Sequence, residues 1–95
     1  MIVKAKSSCI EWDCNKEKLN IRKHGINFQT ASKVFADDDK IILYDTLHSN
    51  EEDRYIVLGD IGKILFVVFT YRNDNIRIIS ARMATARERK VYYGV

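Results

Sequence analysis

Apolar and polar residues alternate with a period close to two along most of the second half of the chain. Such alternation is typical of β-strands, whose successive side chains point to opposite faces of a sheet. Turn residues at positions 60–63 and 73–75 separate the last three segments by short gaps, which predicts two tight hairpins and an antiparallel meander. The predicted strands are Ile41–Asp45, Arg54–Ile61, Ile64–Arg72 and Ile76–Met83.

The first half carries helix signals and one short strand. Ile10–Trp12 alternates and predicts that strand, after which Asp13 can cap a helix over Cys14–His24 and Gly25 can end it. A second helix is predicted after Asn27, because apolar residues then recur at helical spacing until the aspartates at 37–39. Its apolar positions are Phe28, Ala31, Val34 and Phe35.

The end of the chain predicts a third helix. Thr85 and Glu88 have the spacing of a capping box, so this helix is expected over Ala86–Tyr93. Residues 1–9 are polar and lack a period, which predicts a loose N-terminal extension or a weak edge strand. The predicted fold is a single α+β domain over residues 1–95, with two N-terminal helices packed on a mainly antiparallel sheet and a short C-terminal helix.

Two neighbouring strands carry arginines where their apolar rows end. In Ile64–Arg72 both faces are apolar almost to the end, so this strand is expected at the centre of the sheet. Strict alternation in the next strand places Arg82 on one face with Ser80, and Arg77 on the other. Arginine binds phosphate through a bidentate fork, although a surface arginine that snorkels from an apolar strand is an equally good interpretation.

Composition excludes several classes of protein. Hydrophobic residues make up 46% of the chain and proline is absent, which favours a folded domain. The longest apolar runs fall far short of the roughly 20 residues that span a bilayer, and the N-terminus has no apolar export signal. Cys9 and Cys14 fit neither a zinc spacing nor a disulfide framework, so we interpret them as free thiols of a reducing cytoplasm.

The formal charge of +3 is modest but unevenly distributed. Residues 37–60 hold eight acids against two bases, whereas residues 72–90 hold six bases, five of them arginine, against two acids. An arginine-rich C-terminal third suits phosphate recognition. Solvated surfaces of opposite sign on one domain are the plainer alternative.

Lys23 and His24 end the first predicted helix. A lysine can contact phosphate and a histidine can transfer a proton near neutral pH, but the helix macrodipole alone also favours cations there. His48 lies in a polar loop and is interpreted as a solvated residue. The two separated histidines, the two cysteines and the aspartates at 37–39 do not form a metal-ligand set. No nucleotide-binding or serine-hydrolase motif occurs, so neither a metal nor a cofactor is expected.

Several short segments of this chain form a distinctive series. They are EWD at 11–13, N-x-x-KHGI-x-F at 20–28, Ala31 with VF-x-D at 34–37, DRY at 53–55 with Gly59, and RIISAR-x-AT-x-x-ER at 77–89. In order and spacing these segments resemble the BrnT toxin family. The resemblance extends over about Ile10–Tyr92. Departures are Cys14, where a proline is frequent, Met83, where an arginine is common, and Met1–Cys9, which extends the usual start.

The resemblance implies a compact RelE-like α+β fold and cleavage of RNA that inhibits translation. It also implies neutralisation by a BrnA-type antitoxin, with which the toxin represses its own operon through DNA bound by the antitoxin. A mechanism that fits is attack of a ribose 2′-hydroxyl on the adjacent phosphate, which needs proton transfer and cations but no cofactor.

We expect Lys23 and His24 to transfer protons and orient phosphate, and Arg54 and Arg82 to clamp the scissile phosphate. Further candidates for substrate binding are Tyr55, Arg72 and Arg77. Two other functions use the same residues: a non-catalytic RNA- or DNA-binding module, and a plain protein-interaction domain.

Overall fold

A six-stranded sheet forms the centre of the computed structural model, which describes residues 2–5 and 8–95. The strands are β1 (Ile2–Ala5), β2 (Ser8–Trp12), β3 (Ile41–Tyr44), β4 (Tyr55–Asp60), β5 (Ile64–Arg72) and β6 (Asn75–Met83). The helices are α1 (Cys14–His24), α2 (Phe28–Ser32) and α3 (Ala86–Tyr93), with 3-10 turns over Lys33–Ala36 and Thr46–His48.

The strands lie in the order β1-β2-β6-β5-β4-β3. Every neighbouring pair is antiparallel except β2 and β6, which run parallel. The predicted α+β class is therefore confirmed, and the sheet is mixed. None of the helices in the described part of the chain is long and apolar enough to cross a membrane.

The N-terminal segment provides an edge of the sheet. Residues 2–5 form β1, and Ser8 and Cys9 belong to β2, as the edge-strand alternative predicts. A loose extension is wrong for these residues, because their backbones pair with each other. Positions 1, 6 and 7 of the expected extension lie outside the described residues.

The last three strands form the predicted meander, with β5 inside the sheet between β4 and β6. The turn between β5 and β6 consists of Asn73 and Asp74, whose φ angles of 52° and 67° are those of a type I′ hairpin. Asparagine and aspartate tolerate this left-handed conformation better than other side chains, so the two residues fix the register of the hairpin.

A β-bulge in β6 changes which side chains share a face. Val68 pairs with Ser80 whereas Phe69 pairs with Ile78, so Ile79 is an extra residue on β6. The bulge shifts the alternation by one position, and Arg77 and Arg82 therefore lie on the same face of the sheet. The prediction from strict alternation, which separated the two arginines, is wrong for this reason.

The other face carries the hydrophobic core. Its strand residues alternate as predicted for β5 and pack against α2 and the following 3-10 turn. Its largest fully buried members each stabilise the fold by about 1.5–3 kcal/mol; they include Phe28, Phe69, Ile10, Leu65 and Ile78. The core therefore depends on α2 more than on α1, of which only Asn20 is buried.

The second predicted helix changes form near its middle. Asn27 caps α2 by accepting a hydrogen bond of 2.7 Å from the Thr30 amide, but the α-helix ends at Ser32 and continues as a 3-10 turn. Val34 of that turn lies directly against Gly59 of β4, where an added Cβ atom would be 2.6 Å from the Val34 Cβ. Gly59 thus permits a close approach that a larger residue would block.

Candidate active site beside β6

A groove of about 280 Å³ lies between α1 and β6. It brings together two of the predicted site residues, Lys23 and His24, with the bulge residue Ile79 and with Ser80. The remaining lining residues come from α1: Lys16, Leu19 and Asn20. The groove therefore combines three basic side chains with one hydroxyl.

Asn20 builds this groove by joining α1 to the exposed half of β6. Strand β2 pairs with β6 only as far as Ile78, so the backbone of β6 beyond that point has no neighbouring strand on that side. The Asn20 amide donates to the Ala81 carbonyl over 2.9 Å and accepts from the Ala81 N–H over 3.0 Å, as a strand would. Sequence reasoning missed this role, since an asparagine inside a helix gives only a weak signal of low propensity.

Lys23 and His24 occupy the last turn of α1, which ends at Gly25 in the left-handed conformation. Both side chains are exposed at the mouth of the groove. The free carbonyls of a helix C-terminus favour cations, so Lys23 and His24 also stabilise the end of α1. An accessible imidazole beside an accessible ammonium can contact a phosphodiester and exchange protons with it.

Arg82 lies on the face of the sheet away from the core. We call this face the arginine face and define it by Arg77, Ser80 and Arg82 of β6. Its guanidinium lies 3.8 Å from the centre of the Phe66 ring, which is its direct partner on β5. It also forms a bidentate ion pair with Glu88 of α3, with nitrogen–oxygen distances of 2.8 and 3.0 Å. These contacts fix the orientation of the guanidinium.

Glu88 is a second residue that sequence reasoning assigned only to a helix cap. It does form the capping box, because its carboxylate accepts from the Thr85 N–H and its own N–H donates to Thr85. The hydrogen bonds from Arg82 hold the pKa of the Glu88 carboxyl below its ordinary value, although partial burial opposes this. The same carboxylate thus starts α3 and orients Arg82.

The ion pair leaves part of the Arg82 guanidinium available. Nη1 donates to Glu88 and to the Met83 carbonyl, and Nη2 donates once to Glu88, which uses three of the five N–H groups. Within residues 2–5 and 8–95, neither Nε nor the second hydrogen of Nη2 donates a hydrogen bond. These two groups point along the same edge of the guanidinium, so they can still hold a phosphate in bidentate fashion.

Arg54, Arg72 and Arg77 lie at the other end of the arginine face. Arg77 pairs with Thr70 in the register and forms an ion pair of 2.9 Å with Glu11 of β2. Arg54 precedes the first residue of β4, and its Nε lies 3.8 Å from a Glu52 oxygen. Arg72 is exposed at the end of β5.

The structure does not bring Arg54 and Arg82 together. Arg54 lies opposite Thr70 of β5 and Arg82 opposite Phe66, so the two arginines are four positions apart along the strand, which is roughly 13 Å. Two strand spacings add about 10 Å across the sheet. The two arginines therefore face different parts of an extended ligand.

Tyr55 lies away from the arginines, on the face that carries the core. Its ring stacks on Phe69 with centroids 5.6 Å apart, and it contacts Tyr44 and Tyr71 edge-on. The four rings form an aromatic cluster at the end of the core. Tyr55 is thus the one predicted substrate residue that the sheet places on the opposite face.

A larger cavity of about 540 Å³ lies beside the loop that precedes β4, lined by His48, Asn50, Glu51, Glu52 and Arg54. The exposed ring of His48 lies 3.0 Å from Asp45, which is buried. Carboxylates outnumber cations here, so this cavity repels phosphate more than it attracts it. We therefore place the candidate site at the smaller groove.

No group of three or more histidine, cysteine, aspartate or glutamate side chains suited to a metal ion occurs within residues 2–5 and 8–95. Cys9 and Cys14 are both free thiols. The polar side chains beside β6 are those of lysine, histidine, arginine, asparagine, serine and glutamate.

Comparison with known proteins identifies the relatives of this chain. The family model described as a ribonuclease toxin, BrnT, of a type II toxin–antitoxin system matches residues 12–88. Among solved structures, the Brucella abortus ribonuclease toxin BrnT is 28% identical, with a TM-score of 0.65, and the match covers 80% of this chain and 95% of that one. No curated relative matches the chain at a significant level.

Proposed function

Because this chain belongs to the BrnT family of ribonuclease toxins of type II toxin–antitoxin systems, we propose that it cleaves RNA at the groove between α1 and β6 without a metal ion. The reaction is attack of a ribose 2′-hydroxyl on the adjacent phosphorus. The bond from phosphorus to the 5′-oxygen breaks, and the products are a 2′,3′-cyclic phosphate and a free 5′-hydroxyl.

The observation that carries this proposal is the position of the groove relative to Arg82. Lys23 and His24 line the groove together with Ser80, and Arg82 follows Ser80 by two residues on the same face of β6. A phosphodiester bound over Ser80 would therefore contact proton-transferring groups on one side and a fixed guanidinium on the other. Those are the components that the reaction requires.

Lys23 and His24 serve the proton steps in this proposal. One accepts the proton of the attacking 2′-hydroxyl and one gives a proton to the departing 5′-oxygen. Their exposure at the mouth of the groove makes both accessible to a bound chain. Proton transfer by a positioned side chain contributes roughly 10²–10⁴-fold to a rate.

Arg82 stabilises the additional negative charge of the pentacovalent phosphorane. Glu88 stays in place and holds the guanidinium through Nη1 and Nη2, while Nε and the remaining Nη2 hydrogen bind the phosphoryl oxygens. The ion pair and the Phe66 ring fix this orientation before the substrate binds, so little reorganisation is needed during the reaction.

Arg54, Arg72 and Arg77 bind phosphates on one side of the cleaved one, because all three lie at the end of the arginine face away from Arg82. Their distance from Arg82 matches an extended strand of RNA better than a single phosphate, and this replaces the expectation that Arg54 clamps the scissile group. Tyr55 lies on the other face and has no role in this path.

The family implies an antitoxin partner. We propose that it is of the BrnA type, that it binds the toxin in the cytoplasm, and that it carries the DNA-binding element through which the complex represses its own operon. The α+β arrangement is proposed to be the RelE-like one, which leaves the arginine face free for RNA in the absence of the antitoxin.

One observation favours a second candidate, a module that binds RNA without cleaving it. Glu88 already pairs with Arg82, which lowers the charge that this guanidinium offers to a phosphorane, whereas the exposed Lys23 and Arg72 can still bind the RNA backbone. Such a module would bind RNA with strong salt dependence and leave it intact.

The deciding experiment incubates the purified chain with a defined single-stranded RNA in EDTA and identifies the ends of the fragments. We expect cleavage that persists in EDTA and leaves 2′,3′-cyclic phosphate ends. Activity lost on chelation and restored by magnesium, or fragments with 5′-phosphates, would contradict the mechanism. Binding without any cleavage would favour the second candidate.

A further inference from the structure

Strand β3 forms one edge of the sheet and exposes an apolar sequence there. Ile42, Leu43 and Tyr44 are exposed to 44%, 42% and 50%. Soluble proteins usually protect an edge strand with a lysine, a proline or a bulge, because an open edge pairs with other chains. The sequence Ile-Ile-Leu-Tyr contains none of these, so this edge is unprotected.

The backbone groups that point outward can be assigned from the ladder between β3 and β4. The Asp45 N–H donates to the Arg54 carbonyl over 2.9 Å, so this pair is bonded across the two strands. In an antiparallel ladder bonded and non-bonded pairs alternate. Leu43 therefore bonds to β4, whereas Ile42 and Tyr44 direct their N–H and C=O groups away from the sheet.

We propose that this edge binds an extended segment of the antitoxin, which adds to β3 as a seventh strand. The inference rests on the proposed function, because the occupant is the antitoxin. In this arrangement the backbone of the segment forms hydrogen bonds with the backbones of Ile42 and Tyr44, which supply affinity. Apolar side chains of the segment pack on Leu43 on one face of the sheet and on Ile42 and Tyr44 on the other.

The charge around β3 defines the chemistry of this segment. Residues 37–60, which surround the strand, contain eight acids and two bases. Asp38 and Asp39 precede β3, with Lys40 between them and the strand, and Asp53 is held at its other end by a hydrogen bond of 2.8 Å from the Tyr44 hydroxyl. The segment therefore carries lysine or arginine on both sides of its apolar residues.

The same charge argues against a second copy of this chain as the occupant. Pairing β3 with itself would bring two strongly acidic segments together, which costs free energy through like-charge repulsion. Three strand spacings, about 14 Å, separate β3 from β6 and the groove. Substitutions in β3 are thus expected to weaken antitoxin binding and to leave RNA cleavage by the free toxin unchanged.

The test measures the affinity of the full chain for the purified BrnA-type antitoxin of its own operon. Ile42→Pro removes an outward N–H that the ladder with β4 does not use, and edge strands tolerate proline at such positions. We expect it to weaken binding at least tenfold. Leu43→Lys is expected to weaken binding similarly, while Leu47→Lys, the same change at a residue 81% exposed outside the strand, leaves binding within about threefold.

A second measurement follows amide hydrogen exchange of the wild-type chain with and without the antitoxin. Strand addition should slow exchange at Ile42 and Tyr44 and change Leu43 little, because Leu43 is already bonded to β4. RNA cleavage by each free variant should equal that of the wild type, which shows that it is folded.

The outcomes separate the two proposals. If the wild-type chain binds its antitoxin and the β3 variants bind equally well, or if Ile42 and Tyr44 gain no protection, this inference is wrong and the proposed function stands. If the free chain forms dimers that Ile42→Pro dissociates, the occupant is a second copy and the inference is again wrong. Failure of the wild-type chain to bind the antitoxin would contradict the proposed partner and with it this inference.

Discussion

Tyr92 of α3 donates a hydrogen bond of 2.6 Å to the carboxylate of Asp37, which lies 55 residues earlier in the chain. The same carboxylate oxygen accepts from the Asp60 N–H at the end of β4. Asp37 thus joins the C-terminal helix to the turn before β3 and to the β4–β5 hairpin. This contact holds α3 against the sheet, where Glu88 orients Arg82.

Tyr92→Phe should remove part of the pH dependence of stability at alkaline pH. The hydrogen bond to Asp37, burial and the nearby carboxylates raise the pKa of Tyr92 above its ordinary value of 10. A raised pKa in the folded state gives stability that is complete below about pH 10 and is lost as the pH rises further. Urea unfolding between pH 7 and 11 measures this loss.

In that series the free energy of unfolding of the wild type should exceed that of Tyr92→Phe by most below pH 10. The difference should shrink as the pH rises above 10. Tyr93→Phe is the matched control, since Tyr93 is 62% exposed on the same helix and should show no such change. A constant difference between wild type and Tyr92→Phe at all pH values would contradict the assignment.

Glu88→Gln should change the pH dependence of stability at acidic pH. The hydrogen bonds from Arg82 lower the pKa of Glu88 in the folded protein below its ordinary value of about 4.5. The ionised carboxylate therefore stabilises the fold fully above about pH 4.5, and this stabilisation is lost as the pH falls through the pKa of the folded state. The unfolding free energies of wild type and Glu88→Gln should therefore converge below about pH 4. Unfolding free energies that stay parallel down to pH 2 would show that the ion pair does not stabilise the fold. Glu51→Gln, a change in an exposed loop, is the control.

Arg82→Ala should lower the rate of RNA cleavage by roughly 10²–10³-fold, the scale for removing one preorganised charge-stabilising donor. Arg82→Lys should restore activity only in part, because an ammonium cannot form the bidentate contact. Thermal melts of each variant accompany the rates, since Arg82 also packs on Phe66. A folded Arg82→Ala protein with a rate within a few-fold of wild type would mean that the arginine is structural.

Single alanine substitutions of Lys23 and His24 should each lower the cleavage rate by roughly 10²-fold or more, because proton transfer is impaired. Lys18→Ala is the control, since Lys18 is an exposed lysine on the same helix that does not line the groove. The measurement is single-turnover cleavage of a short RNA. Equal rates for the Lys18, Lys23 and His24 variants would remove the last turn of α1 from the mechanism.

Asn20→Ala should destabilise the fold by about 1–3 kcal/mol, because it leaves the buried N–H and C=O groups of Ala81 without partners on that side. Cleavage should fall by more than the loss of folded protein, since α1 also carries Lys23 and His24 into position. Denaturant unfolding and cleavage rates measured together test both effects. A stable but inactive Asn20→Ala protein would show that Asn20 acts mainly by positioning α1.

Local signals in the sequence determined much of the fold. Asp13 and Gly25 set the ends of α1, Asn73 and Asp74 set a hairpin, and Thr85 with Glu88 started α3. Each of these features acts within a few residues of itself, through a capping bond or a left-handed turn, so the sequence carries it directly. The family resemblance likewise lay in short contiguous segments, and the family model confirmed it.

Only the tertiary structure decided how the candidate site is assembled. The bulge at Ile79 moved Arg77 onto the face of Arg82, and Asn20 placed Lys23 and His24 beside Ser80. The register of β4 and β5 placed Tyr55 on the core side, away from these residues. Each outcome depends on pairing between strands, or between a helix and a strand edge, that are far apart in sequence. No local pattern encodes such pairing, because its free energy is realised only when the distant partners meet.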